Sequence, residues 1–136
     1  MKKTLFVWIV AGSLVLASCG GNSSRASKKI DVTMTDFQFQ PNTFTVPAGE
    51  EITLNASNTG GVVHSFVIMK QGQTAGTEFN EQDKPNVFWQ VEILPGGSAD
   101  TTFTAPDEPG EYEIVCHIPG HVQAGMVGKL NVVSGK

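Results

Sequence analysis

An all-β sandwich of eight strands is what this 136-residue chain predicts. Three observations carry the expectation. From residue 30 onward, short runs rich in Val, Ile, Thr and Phe follow one another. Turn residues sit between them in compact clusters, "QPN", "PAGE", "NTGG", "PGG" and "APDEPG". No long stretch holds a helical period. That combination is the sequence pattern of an all-β sandwich.

Taken in order, the strands expected are 30–39 (IDVTMTDFQF), 43–46 (TFTV), 51–57 (EITLNAS) and 64–69 (HSFVIM), then 87–94 (VFWQVEIL), 98–104 (SADTTFT), 111–116 (EYEIVC) and 127–133 (VGKLNVV). Gly and Pro interrupt the apolar rhythm at each boundary because they supply backbone geometries a strand interior does not use. Alternation is cleanest in EYEIVC: Tyr112, Ile114 and Cys116 share one face, while Glu111, Glu113 and Val115 share the other. Tyr and Ile select the core, so Cys116 points inward at the strand's end. Residues 70–86 are polar and fit no strand; they read as a long excursion with a helical turn around 77–83.

The chain before residue 30 has a different character. Lys2 and Lys3 precede an apolar run, 5–16, too short to cross a bilayer comfortably, and small residues then lead to Cys19. This predicts a signal peptide over 1–18. The stretch LASC resembles the lipobox of bacterial lipoproteins, which implies lipidation of Cys19. The Gly/Ser-rich span 19–29 is expected to be a flexible tether, and 30–136 the folded domain. The protein is then expected to be exported and held at the outer side of the cytoplasmic membrane, or in the periplasm, by a lipid anchor.

All thirteen acidic residues lie from Asp31 onward, against only Lys70, Lys84, Lys129 and Lys136. A domain of that charge is a poor match for nucleic acid. There are two cysteines. If Cys19 carries lipid, Cys116 is a lone thiol in an oxidising compartment and asks for a chemical reason. Its neighbourhood supplies one. Cys116, His121 and Met126 recur at five-residue spacing within one loop. Thiolate and thioether suit cuprous ion, imidazole suits both copper states, and a His2Cys set with a distant Met is the blue-copper arrangement. A second histidine is needed, and His64 opens a strand after the turn NTGGVV, where strand ends meet at one pole. His117 adjoins Cys116, so an extended backbone sends its side chain elsewhere; it is read as a supporting or surface residue. The ligand set expected is therefore His64, Cys116, His121 and a weak axial Met126, holding one copper ion.

The segments VPAGEEITLNASNTGGVVHSFVIM and PGEYEIVCHIPGHVQAGMVGKLNV resemble the cupredoxin, or blue copper, family. The four-residue gaps from Cys116 to His121 and from His121 to Met126 are similar to those of auracyanin and rusticyanin, with an azurin-like loop, more than to plastocyanin. The resemblance implies an eight-stranded Greek-key β-sandwich with copper at one pole. It also implies single-electron carriage between redox proteins, such as a cytochrome or a membrane electron-transfer complex, docking near His121. Ser65 follows the first histidine where many members carry Asn. By resemblance it links the two ligand segments and hydrogen-bonds near the Cys116 sulfur. Around His121, the small or apolar Pro119, Gly120, Val122, Ala124 and Gly125 are expected to form the docking patch.

Other readings are weaker. A copper enzyme needs further histidines, and only His117 is spare, so no catalytic activity is expected. Zinc accepts His2Cys with an open position, but a thioether is a poor zinc ligand. A copper storage or delivery protein at the cell envelope is the alternative kept open; a single core-anchored site speaks against it.

Overall fold

The computed structural model describes residues 25–135. The expected signal peptide and Cys19 lie outside the described residues. Nine strands form two sheets. They are β1 (Lys29–Thr35), β2 (Gln38–Gln40), β3 (Thr43–Pro47), β4 (Glu51–Asn58), β5 (His64–Met69), β6 (Val87–Ile93), β7 (Ser98–Thr104), β8 (Gly110–Val115) and β9 (Val127–Val133). One sheet runs β2-β1-β4-β7 and the other β3-β9-β8-β5-β6. Both are mixed, because β1 pairs parallel with β4 and β3 parallel with β9. The sandwich expected from the sequence is present.

The run at 30–39 is two strands, not one. It reverses at Asp36 and Phe37, so that Thr35 faces Gln38 across a tight hairpin. The buried phase shows the break: Ile30, Val32 and Met34 point inward, and then Phe39 does. An unbroken strand would keep even-numbered residues inside. The nine strands thus differ from the eight expected by this one hairpin. The sheet also reaches into the span read as tether: Ser27 N–H donates to the Thr45 carbonyl at 2.9 Å, and β1 begins at Lys29.

The inner faces close over one core. Met34, Phe39, Ile52, Leu54 and Phe103 come from the first sheet, and Phe44, Phe66, Ile114 and Leu130 from the second. Phe66 is fully buried and meets Phe39 and Phe44 edge-on at 5.6 and 5.9 Å between ring centroids. Trp89 stacks on Phe103 at 4.9 Å across the open side. Tyr112 is buried up to its hydroxyl, which donates to the Glu108 carbonyl at 2.7 Å and pins the loop entering β8. Burial raises the Tyr112 pKa, with the nearby carboxylates of Glu108 and Asp107 adding to it. Replacing Tyr112 with Phe keeps the packing and removes that bond. A loss of about 0.5–1.5 kcal/mol in chemical denaturation is expected.

The outer face of the second sheet is not left to solvent. Val67, Met69 and Val115 form a second buried cluster with Ala75 and Val122, and Phe79 and Val87 pack against it. The excursion at 70–86 is therefore a strap laid over β5 and β8. Val115, on the face of β8 opposite Tyr112 and Ile114, is fully buried under the strap. Several bonds fasten the strap. Ala75 N–H donates to Glu113 Oε2 at 2.7 Å, Gln71 Nε2 to the Pro109 carbonyl at 3.1 Å, and Lys70 Nζ to the Pro85 carbonyl at 2.7 Å. Burial under the strap pushes the Glu113 carboxyl above its ordinary range, against the opposing pull of the Ala75 N–H. The helical turn expected around 77–83 falls later, as a single 3-10 turn at Lys84–Asn86. Pro85 sits at its start, where a missing N–H costs nothing.

Candidate metal centre

Strand direction gathers the site. β1 and β4 run parallel and end together, Met34 opposite Asn58. β5 starts at His64 opposite Ile93, the last residue of β6. β8 runs antiparallel to β5 and ends at Val115, opposite Val67. The turn 36–37 and the loops 59–63, 94–97 and 116–126 therefore converge at one end of the sandwich. Asn58, buried there, ties them together. Its Nδ2 donates to the carbonyls of Val62 and Ile93 at 2.8 and 3.0 Å, and its Oδ1 accepts from Gly60 N–H at 2.9 Å. A buried amide with its donors and acceptor used in this way braces a loop cluster without an unpaired polar group.

At that end the potential ligand atoms of His64, Cys116 and His121 all lie within 4.8 Å of one another, and all three residues are buried. The His121 Nδ1 lies 3.2 Å from the Cys116 Sγ and 3.2 Å from the His64 Nδ1. Met126 is fully buried in the same core, and its backbone is tied to both neighbours. Met126 N–H donates to the His121 carbonyl at 2.9 Å, and Cys116 N–H donates to the Met126 carbonyl at 3.3 Å. The loop closes as a compact turn, with Ala124 N–H on the Gly120 carbonyl and Gly125 N–H on the Val122 carbonyl at 3.0 and 2.9 Å. Gly120 and Gly125 take positive φ, 83° and 96°, which a side chain there would resist.

Ser65 bridges β5 and the loop that follows β8. Its N–H and Oγ lie 3.3 and 3.5 Å from the Cys116 Sγ, and its Oγ accepts from His117 N–H at 2.8 Å. Hydrogen bonds onto sulfur draw electron density from a thiolate and tune a redox site. His117 turns away from the cluster. Its Nε2 lies 3.2 Å from Glu92 Oε2, and its ring centroid is 5.9 Å from that of Phe79 in the strap.

His121 keeps 7 % of its surface exposed. Burial pushes its pKa below the ordinary value, the neighbouring His64 pushes the same way, and Asp36 opposes them. The neutral imidazole so favoured is the form that binds a metal. Of the apolar residues expected around it, Pro119, Gly120, Ala124 and Gly125 are exposed. Val122 is not: it is 7 % exposed and belongs to the cluster beneath the strap. Sequence reasoning missed two residues at this end, Asp36 and Phe37. Asp36 Oδ1 lies 2.8 Å from His64 Nε2. The Phe37 ring stands edge-on to both imidazoles, 4.6 Å from His121 and 6.1 Å from His64. The slip in apolar phase between Met34 and Phe37 was the signal that could have located their turn.

The donor chemistry fits copper. A buried thiol and two buried imidazoles bring their donor atoms within 4.8 Å of one another, and the buried Met126 belongs to the same core cluster as Cys116. This is the softness and ligand mix of a type 1 copper site, and His64, Cys116, His121 and Met126 are arranged as one. The fold and site together define a blue-copper-type β-sandwich protein. The chain belongs to the cupredoxin-like domain family, whose model matches residues 7–130. It is 33 % identical over 120 residues to the copper-resistant cuproprotein CopI of Rubrivivax gelatinosus, covering 82 % of this chain and 70 % of that one. It is 29 % identical to auracyanin-A of Chloroflexus aurantiacus, covering 97 % of this chain and 99 % of the relative. The solved structure of reduced auracyanin from Roseiflexus castenholzii superposes with a TM-score of 0.69 at 32 % identity, covering 80 % of this chain and 99 % of that chain.

Proposed function

We propose that this protein carries single electrons between redox partners at the cell envelope, its copper cycling between +2 and +1 without catalysing a reaction of its own. His64, Cys116 and His121 would hold the ion, with the thioether of Met126 as a weaker donor. The observation that carries the reading is the convergence of three buried donor atoms within 4.8 Å on a braced scaffold. Fast electron exchange requires ligands that move little between oxidation states. Here the first histidine opens a core strand, Asn58 clamps the adjoining loops, and Ser65 joins the two ligand segments. The bound ion supplies a one-electron couple; the chain supplies donors held in one arrangement.

Electrons enter and leave at the end where His121 comes nearest the surface. Phe37, Val62 and Leu94 are exposed on loops at that same end, at 36 %, 42 % and 66 %. With Pro119 and Ala124 they form an apolar surface suited to brief docking of a cytochrome or a membrane electron-transfer complex. Ala124→Asp places a charge on that surface without entering the core. Reduction by a partner protein is expected to slow about tenfold or more, as unfavourable rim charge lowers association rates, while the visible spectrum stays unchanged. Equal transfer rates for the two proteins would move the port elsewhere. The chain is read as an exported lipoprotein, tethered through Cys19, so that the domain exchanges partners while anchored.

The test is direct. Cupric ion added to the purified soluble domain is expected to give an intense visible thiolate-to-copper charge-transfer band. Ascorbate should bleach it and oxidant restore it, with no turnover of nitrite or oxygen. A second reading rests on the CopI relative, a protein named for copper resistance: copper storage or delivery at the envelope. It predicts ready release of copper to a modest chelator and copper sensitivity on gene deletion. Retention of copper through repeated redox cycles under that chelator favours the carrier.

A further inference from the structure

We infer that Asp36 is a positioning residue for His64 and sets the copper potential downward, opposing the pull of Ser65. The inference rests on the ligand reading above, and it concerns a residue outside the ligand set.

The geometry is specific. Asp36 sits on the two-residue turn between β1 and β2, which delivers its carboxylate to the back of the His64 ring. Oδ1 lies 2.8 Å from His64 Nε2, and Oδ2 accepts from Gly61 N–H at 2.8 Å. Both carboxylate oxygens are thus engaged, one holding the ring and the other holding the loop that leads to it. An ionised carboxylate only accepts, so the shared proton belongs to Nε2. The His64 Nδ1 is then a bare lone pair, and it points to the His121 Nδ1 at 3.2 Å, into the cluster. His64 itself is fully buried, so no water competes for that nitrogen.

Gly60 completes the fit. A Cβ there would collide with Asp36 Oδ1 and lie 2.8 Å from His64 Nε2. The loop before His64 is therefore shaped around this contact, and a larger residue would displace it.

The electronic consequence follows from charge. A carboxylate behind a ligand imidazole makes the ring a stronger donor, as the outer partners of metal-bound histidines do. Stronger donation favours the more highly charged cupric state and lowers the reduction potential. The bonds from Ser65 onto the Cys116 sulfur act oppositely, drawing density from the thiolate and favouring the cuprous state. The two residues adjacent to the ligands, one on each side, set the potential between them.

The experiment uses the copper-loaded protein and its Asp36→Asn and Asp36→Ala variants, read by redox titration of the visible band. Both variants are expected to be blue. Their potentials are expected to rise, more for Ala than for Asn, which keeps one acceptor oxygen. A tenfold loss in cupric over cuprous affinity reads as a rise of about 59 mV for a one-electron couple. Unchanged or lowered potentials in blue variants overturn the inference while leaving the copper reading intact. A wild-type protein that never turns blue sinks the copper reading instead. Where a variant does not hold copper, nitrogen NMR of the copper-free wild-type protein decides: His64 protonated at Nε2 supports the inference, and protonation at Nδ1 overturns it.

Discussion

Replacing Cys116 with serine is expected to yield a folded, colourless protein. The sulfur is fully buried, and a hydroxyl in its place still meets the Ser65 N–H and the His121 ring, so it is not stranded. The cost to stability should be modest, about 1–3 kcal/mol. The loss of colour should be complete. A serine hydroxyl does not ionise near neutral pH, and without a thiolate there is no sulfur-to-copper charge transfer. Absorbance on titration with cupric ion reads the loss of colour, and circular dichroism with chemical denaturation reads the stability. A visible band of undiminished intensity in the variant would show that the thiol is not a ligand.

Truncating Phe66 to alanine is the second large effect expected. Phe66 is fully buried between Phe39 and Phe44 and joins the two sheets. Removing such a ring costs about 3–5 kcal/mol through lost transfer energy and the cavity left behind. Against the 5–15 kcal/mol that holds a typical domain together, this is a large fraction. The copper-free variant should melt more than about 10 °C lower. Copper binding should weaken too, because His64 and Ser65 immediately precede Phe66 on β5 and take their direction from its seat. A melting temperature within a degree or two of wild type would mean that Phe66 is not the hinge of the core.

Some of this could be read directly along the chain. Period-two alternation and clustered turn residues located strands to within a residue or two, since each is a local property of the backbone. Cys116, His121 and Met126 were visible because one loop carries all three. His64 was inferred because, among three histidines, it alone opened a strand after a turn. Val122 was misread. It looked like part of the surface patch around His121, since its neighbours in the loop are small or apolar. What buries it is the strap at 70–86, a segment far back in the chain whose own polarity gave no sign that Ala75 and Phe79 would cover a sheet. The hairpin at Asp36 and Phe37 has one usual turn former, Asp36, with no Gly, Pro or Asn beside it, so the sequence does not mark it as the other turns are marked.

By itself, then, the order of residues determined the class of fold and the identity of the donor atoms, because strand periodicity and side-chain chemistry belong to each residue before it meets any other. Which groups surround those donors was decided by tertiary structure alone. Asp36 lies 28 residues from His64, and Ser65 lies 51 residues from Cys116. Only parallel pairing of β1 with β4 and antiparallel pairing of β5 with β8 carries those side chains to the same end of the sandwich. Sheet pairing is a long-range choice made by the whole core, and so the candidate donors were legible in the chain while their surroundings were not.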